Sequence, residues 1–393
     1  MMAQTRCSVT LFAPAAATRR APARRALRVR AGAPAASSPP LAALLTSPPA
    51  LKVSSASAFA PATVANLGPG FDCLGVAVEG QGDVVTATHR PDLPAGSVVI
   101  SSMTGDNGRL SLVAADNCCR IAAAATQRLL GLDGPGAPAG GVALACRKGL
   151  PLGSGLGSSA ASAAAAAWAV NLLYGAPLSK AQLVPAGLAS EAAVSGYHAD
   201  NIAPAIMGGF VLVRSYSPAL ALQSLRFGAP ASQLWFCLVT PVFEAPTREM
   251  RAALPKEISM KLHIANTAAA AGVVAGVLSG DASLIGASLN DDTIVEPARG
   301  PLIPGFFAVK KAAMAAGAFG CTISGAGPTV VAIAPSADAG KRIAEAMAAA
   351  FRKEGKLDVA YAAVAQLCED GARACKADDS GAGAHEGAVI RIV

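Results

Sequence analysis

What this chain of 393 residues lacks narrows it first. No Asp or Glu precedes Asp72. Residues 1–52 nevertheless hold eight of the 32 basic residues: Arg6, Arg19, Arg20, Arg24, Arg25, Arg28, Arg30 and Lys52. Setting these aside leaves 24 basic residues against 25 acidic ones, so the net charge of +7 belongs to the leader. The remainder has no basic excess of the kind that nucleic-acid binding needs, and no nucleic-acid partner is expected. A leader rich in Arg, Ala, Ser, Thr and Pro without acidic residues reads as a disordered transit peptide over 1–52. Plastid is preferred to mitochondrion, which puts the mature chain in the chloroplast stroma. None of the nine cysteines forms a C-x-x-C pair, which leaves zinc and thioredoxin-like chemistry unsupported. Their scatter through apolar runs favours a reducing compartment. No uninterrupted apolar run reaches the ~18 residues that cross a bilayer. The run Ala268–Leu278 is too short, so no membrane partner is expected. Aromatics make up only 4% of the chain, yet 53% is hydrophobic, enough for a large core in two domains, 53–219 and 220–393.

Two common nucleotide signatures are also missing. No G-x-x-x-x-G-K-[ST] occurs, and no acidic residue follows a glycine turn at the dinucleotide-binding distance. Instead Pro151-Leu152-Gly153-Ser154-Gly155-Leu156-Gly157-Ser158-Ser159 runs into an alanine-rich stretch. Alternate glycines let the backbone turn tightly and approach a ligand. The serines stand at the preferred capping position of a helix read over Ala160–Tyr174, which Gly175 stops. A glycine loop feeding a helix N-terminus offers free N–H groups and the positive end of the helix dipole, a site for phosphate.

Elsewhere the pattern is mixed. Strand-like runs cover 57–65, 76–88, 97–101, 141–146, 210–213, 234–240 and 359–364. Helices are read at 117–130, 180–194, 263–278, 307–316 and 337–351, with a hairpin around 321–334. Without regular βαβ alternation this is an α+β chain. The stretch 371–386, rich in Gly, Ala and Asp, reads as a mobile loop or tail.

Three further clusters carry chemistry. Asn66-Leu67-Gly68-Pro69-Gly70-Phe71-Asp72 puts an amide and a carboxylate on a Gly-Pro-Gly turn, where they either engage a hydroxyl or cap their own backbone. Glu191, His198, Asp200 and Asn201 gather polar groups in an apolar neighbourhood. A carboxylate beside a phosphate loop is what Mg²⁺ needs. Thr247, Arg248, Arg251 and Arg299 form two arginine sites, and arginine binds carboxylates bidentately. Asp116-Asn117 opens a helix, either as a simple cap or facing a base.

The order P-x-G-x-G-L-G-S-S-A-A resembles the ATP loop of the GHMP kinases, and Thr322–Thr329 resembles the glycine segment that packs beside it. The motifs A-N-L-G-x-G-F-D-x-L-G, H-A-D-N-x-A-P-A-x-x-G-G, P-T-x-x-x-R and E-P-x-R-x-x-L-I-P-G-F resemble those of the homoserine kinases within that family. The resemblance implies a two-domain GHMP kinase fold, with a ribosomal protein S5 domain 2-like N-terminal domain and a ferredoxin-like C-terminal domain. It implies ATP-dependent phosphorylation of the L-homoserine hydroxyl, a step of threonine biosynthesis. ATP is then expected on 151–159 with Asn117 and Gly325. Mg²⁺ is expected on Ser159 (or Ser158) and Glu191. The substrate carboxylate falls to Thr247, Arg251 and Arg299, its ammonium to Asp200, and its reacting end to Asn66 and Asp72, with His198 and Asn201 shaping the pocket. Asn66, Asp72, Asp200 and Arg251 are the expected catalytic set. Homodimers are common in the family. The rival readings are a GHMP kinase acting on an isoprenoid precursor and a non-catalytic GHMP paralogue.

Overall fold

The computed structural model describes residues 41–377 and 388–392, apart from 114, 116 and 135. The leader before 41, Asp116 and residues 378–387 of the glycine-rich segment lie outside the described residues. Twelve strands and ten α-helices follow along the described chain. The first part has β1 (Ser55–Ala65), β2 (Leu74–Arg90), β3 (Val98–Thr104), α1 (Cys118–Leu129), β4 (Gly141–Arg147), α2 (Ser158–Leu173), α3 (Lys180–Val194), α4 (Ile202–Met207), β5 (Phe210–Ser215) and β6 (Ala221–Leu225). The second has β7 (Trp235–Pro241), α5 (Thr247–Ala252), α6 (Met260–Ser279), α7 (Ala282–Asn290), α8 (Val295–Arg299), α9 (Phe306–Ala315), β8 (Gly320–Ile323), β9 (Val330–Ala334), α10 (Ala337–Ala350), β10 (Val359–Gln366), β11 (Arg373–Cys375) and β12 (Val389–Arg391).

The strands form two sheets. One runs β11-β1-β2-β4-β3, with β5 on β2 and β6 on β5; only the β3–β4 pair is parallel. The other runs β12-β10-β7-β9-β8 and is antiparallel throughout. The hairpin read around 321–334 is β8–β9. The segment after Gly371 is more ordered at its start than its composition implies. Arg373, Ala374 and Cys375 pair with Phe59, Ala58 and Ser57, closing the edge of the first sheet.

Helix α2 explains why alanine is so abundant. Thirteen of its sixteen residues are buried, on every side, against β1, β2 and three helices. A helix apolar all round belongs in a core, and methyl side chains let five neighbours approach it. A second core layer lies between the sheets, where Val76, Val78 and Phe210 meet Phe236, Leu238 and Tyr361. A third holds α9 and α10 against the far face of the second sheet through Val309, Ile343 and Met347.

Two sequence expectations need adjustment. Helix α6 starts before the run Ala268–Leu278, and its 20 residues are long and apolar enough to cross a membrane by length and composition. Four of its residues, Ala269, Val273, Gly276 and Val277, are buried, Val273 and Val277 in the inter-sheet core, and the remainder is exposed or half-exposed. Residues 41–52, read as part of a disordered leader, lie on the first helices. The Leu44 and Lys52 N–H groups donate to the carbonyls of Leu129 and Leu173, and Leu41 and Leu45 pack on the core.

Candidate active site

A cavity of about 700 Å³ opens between the two sheets' loops, and most of the residues singled out from the sequence line it. Its floor is the glycine loop. The first helical residue of α2 is Ser158, and its cap is Gly157 at φ 66°, with no side-chain cap. This corrects the capping role read for the serines: they occupy the first turn itself. The N–H groups of that turn have no side-chain acceptor, as an anion site requires.

Gly157 is obligatory. A Cβ there would stand 2.0 Å from Thr63 Oγ1. Gly155 is equally constrained, at φ +79° with a Cβ position 2.6 Å from the carbonyl oxygens of Ser324 and Gly327. The second glycine segment does pack on the loop. Ser324 Oγ donates to Gly155 O at 2.7 Å, and Thr329 Oγ1 to Ser154 O at 2.6 Å. Leu152, Gly153, Ser154, Gly155, Gly157, Ser158, Ser159, Asn117 and Gly325 all face the cavity. Pro151 does not line it, and Leu156 is wholly buried in the inter-sheet core. Asn117 caps α1, accepting from Cys119 N–H at 3.1 Å, while its amide donates to Ser111 O.

Beneath the loop sits a buried ion pair that no motif announced. Lys148 Nζ bonds Asp83, Ser158 O (2.8 Å) and Ser162 Oγ (2.7 Å). Asp83 also accepts the N–H groups of Gly149 and Leu150. Burial works against the Lys148 charge, but Asp83 and the nearby Cys118 outweigh it and the pKa is raised. A lysine at the end of a strand gives no local signal. Only the fold brings it under the helix N-terminus.

Glu191 projects from the last turns of α3 into the same cavity. Ser195 Oγ donates to its Oε2 at 2.7 Å, and its buried Oε1 has no partner among the described residues. Burial raises its pKa; the serines and Lys148 act the other way. A carboxylate oxygen left unsatisfied beside a phosphate loop fits Mg²⁺, which takes one or two carboxylates and completes its shell with phosphate oxygens and water.

The substrate-loop residues occupy the other end. Asn66, Leu67 and Asp72 all have positive φ (69°, 47° and 59°), a concentration of left-handed non-glycine residues that marks a functional loop. The Asn66 amide is engaged at both ends, by Gly325 O and the Asp72 N–H. The Asp72 carboxylate is held bidentately by Arg251, at 2.9 and 2.8 Å, with His198 Nδ1 3.5 Å away. Arg251 and Arg299 both lie over the Phe71 ring, their guanidinium carbons 5.0 and 4.9 Å from the ring centre. Arg299 is 2% exposed, donates to the carbonyls of Met250 and Gly325 and, among the described residues, makes no hydrogen bond through Nη2. Burial and the neighbouring Arg251 pull its pKa down to about 10, so it stays charged at neutral pH. Asp200 is buried, and burial, then Asp72 and Glu191, push its pKa to about 7. Asn201 lines the cavity but accepts from Thr63 Oγ1 at 2.8 Å, tying α4 to β1. Thr247 is exposed at the start of α5. Tyr216, absent from the sequence motifs, braces the loop by donating to Asp72 O and accepting from Ala199 N–H.

Residues 117–209 match the GHMP kinases N terminal domain family, and residues 273–353 the GHMP kinases C terminal family. The homoserine kinase of Arabidopsis thaliana is 57% identical over 315 residues, covering 80% of this chain and 83% of that protein. The chain belongs to the homoserine kinase family. The homoserine kinase of Chloroherpeton thalassium is 40% identical over 303 residues, covering 76% of this chain and 93% of its own. A crystal structure of homoserine kinase from Cytophaga hutchinsonii superposes with a TM-score of 0.75 at 41% identity, covering 82% of this chain and 98% of that one. The L. major mevalonate kinase structure, at 16% identity and a TM-score of 0.61, shares the fold alone. The fold is therefore the two-domain GHMP kinase fold, and the homoserine kinase motifs are those that meet in the cavity.

Proposed function

We infer that this chain transfers the γ-phosphoryl group of ATP to the side-chain hydroxyl of L-homoserine. The observation that carries the reading is a match of charges in one cavity. A phosphate loop and Glu191 stand at one end, and two arginines with a buried aspartate at the other. An amino acid offers one carboxylate, one ammonium and, here, one hydroxyl. Arg299, with Nη2 uncommitted, and Arg251 take the carboxylate; Asp200 takes the ammonium. Arg251 then exchanges part of its contact with Asp72, freeing that carboxylate toward the hydroxyl. The Asn66 amide holds the loop that carries Asp72. Phosphoryl transfer asks mainly for alignment and charge neutralisation, which these groups supply. Glu191 and Ser159 would hold Mg²⁺, which neutralises phosphate charge when bound. An isoprenoid precursor such as diphosphocytidyl-methylerythritol has neither a small carboxylate for the arginine pair nor an ammonium for Asp200.

We propose that the leader is a plastid address, a reading supported by its arginine-rich composition without acidic residues. Fusing residues 1–52 to a fluorescent reporter and following it into isolated plastids tests that address; a reporter left outside refutes it.

The substrate assignment is tested by Arg299→Lys. A point charge cannot replace a planar fork, so the homoserine KM should rise by roughly 10- to 100-fold with the ATP KM within about two-fold. An unchanged homoserine KM would remove Arg299 from the carboxylate site. Likewise Glu191→Gln should raise the Mg²⁺ concentration needed for half-maximal rate by about ten-fold or more; an unaltered Mg²⁺ dependence would place the ion elsewhere.

A further inference from the structure

Five cations line the cleft: Arg109, Lys148, Arg248, Arg251 and Arg299. Three are committed to groups inside the protein: Lys148 to Asp83, Arg251 to Asp72, and Arg299 to two backbone carbonyls. Arg248 stands on the exposed side of α5. Arg109 differs in that both members of its ion pair are exposed. It comes from the loop after β3 and is held by an acceptor from the stretch after β7. Its Nη1 and Nη2 meet Glu244 Oε1 and Oε2 at 2.6 and 3.3 Å. Glu244 lies in the stretch after β7, near the phosphate loop, its Cγ 3.9 Å from where a Cβ on Gly153 would stand. The guanidinium is thus held at the rim of the phosphate loop by a carboxylate.

The root of Arg109 is fixed. Gly105 has φ +77°, and a Cβ there would stand 2.1 Å from Lys148 O. The Lys148 N–H donates to Thr104 O at 2.8 Å. Buried Asp106 accepts the Leu110 N–H at 2.9 Å, closing the turn that carries Arg109. Both partners of its ion pair are about half exposed (51% and 59%). Such a pair contributes little and exchanges readily. A phosphate offers the same fork a more highly charged bidentate acceptor.

We propose that Arg109 is an exchangeable nucleotide contact: Glu244 holds its guanidinium at the rim, and a bound nucleotide takes it onto its phosphate oxygens. The proposal rests on the reading of 153–159 as the ATP loop. Glu244 is then a competitor of the ligand, and the two partners of one ion pair act in opposite directions. A merely structural bridge across the cleft would behave otherwise, since removing either partner breaks it equally.

The test is calorimetric titration of the full chain with AMP-PNP and Mg²⁺, and separately with AMP. Arg109→Ala should weaken AMP-PNP about 5- to 20-fold. Glu244→Gln should tighten it about two- to four-fold by releasing the arginine. The double variant should bind like Arg109→Ala. AMP, lacking the outer phosphates, should bind all four proteins within about two-fold. Equal weakening by Arg109→Ala and Glu244→Gln, or AMP-PNP affinities all within two-fold, would overturn the exchange and leave the ATP reading standing. Failure of AMP-PNP to bind the unsubstituted chain would overturn both.

Discussion

Asp200 is the residue whose physics is most exposed to test. It is buried with Asp72 and Glu191 near it, which holds its pKa at about 7. The folded chain therefore keeps a proton on Asp200 that the unfolded chain releases between pH 3.8 and about 7. The folded state binds more protons in that window, so this contribution is full below pH 3.8 and falls as pH rises, by up to about 1.4 kcal/mol per unit. Asp200→Asn stays neutral and should flatten the slope; urea unfolding of both proteins at pH 5 and 7 measures the difference. The same ionisation should govern substrate binding. The homoserine KM should fall as pH rises through about 7, and Asp200→Asn should remove that dependence. A variant retaining the full pH profile would take Asp200 off the ammonium.

At this scale the sequence was legible where a residue sits in a motif and opaque where two distant residues complete each other. Asn66, Asp72, Asp200, Arg251 and Arg299 all reach one cavity, as their motifs implied. That Asp72 and Arg251, 179 positions apart, would hold one another follows only from the fold. The same is true of Asp83 and Lys148, and of Tyr216 beneath the substrate loop.

Among elements, the phosphate loop with α2 is the piece the sequence announces most clearly. Its glycines are needed because other backbone occupies the space their side chains would take. Gly155→Ala has to push against the carbonyls of Ser324 and Gly327 while holding φ near +79°. We expect it to cost about 2–4 kcal/mol in denaturant unfolding and to weaken nucleotide binding with it; unaltered stability would mean the two glycine segments are not in contact. The short elements α4, α5, α7 and α8 went unread because five to nine residues give too little periodicity to register. Strand β11 was hidden by composition. Its three residues pair with β1 although the surrounding segment is rich in Gly and Ala.

Across the whole molecule, segments before β1 and after β10 cover the first sheet and its helices. β11 closes its edge, and residues 41–52 lie over α1 and α2. Residues 41–52 fall within the stretch that charge assigns to the leader, yet they pack on α1 and α2. A chain beginning at 53 should accordingly be less stable than one beginning at 41, by about 1–2 kcal/mol for the half-buried Leu41 and Leu45. Equal melting temperatures would show that these contacts contribute nothing. The α+β class was readable from the irregular order of strand- and helix-like runs, and the helix after the phosphate loop from its alanine run and the Gly175 stop. The layer between the sheets was not, since nothing local pairs Phe210 with Phe236.

The most direct measurement is ADP release by the chain from residue 41 with ATP and Mg²⁺ against L-homoserine, L-serine, mevalonate, galactose and diphosphocytidyl-methylerythritol. The account predicts turnover with L-homoserine and none above background with the carbohydrate or isoprenoid acceptors. Preferred turnover of mevalonate, galactose or the methylerythritol compound, or ATP binding without turnover of any acceptor, would contradict it.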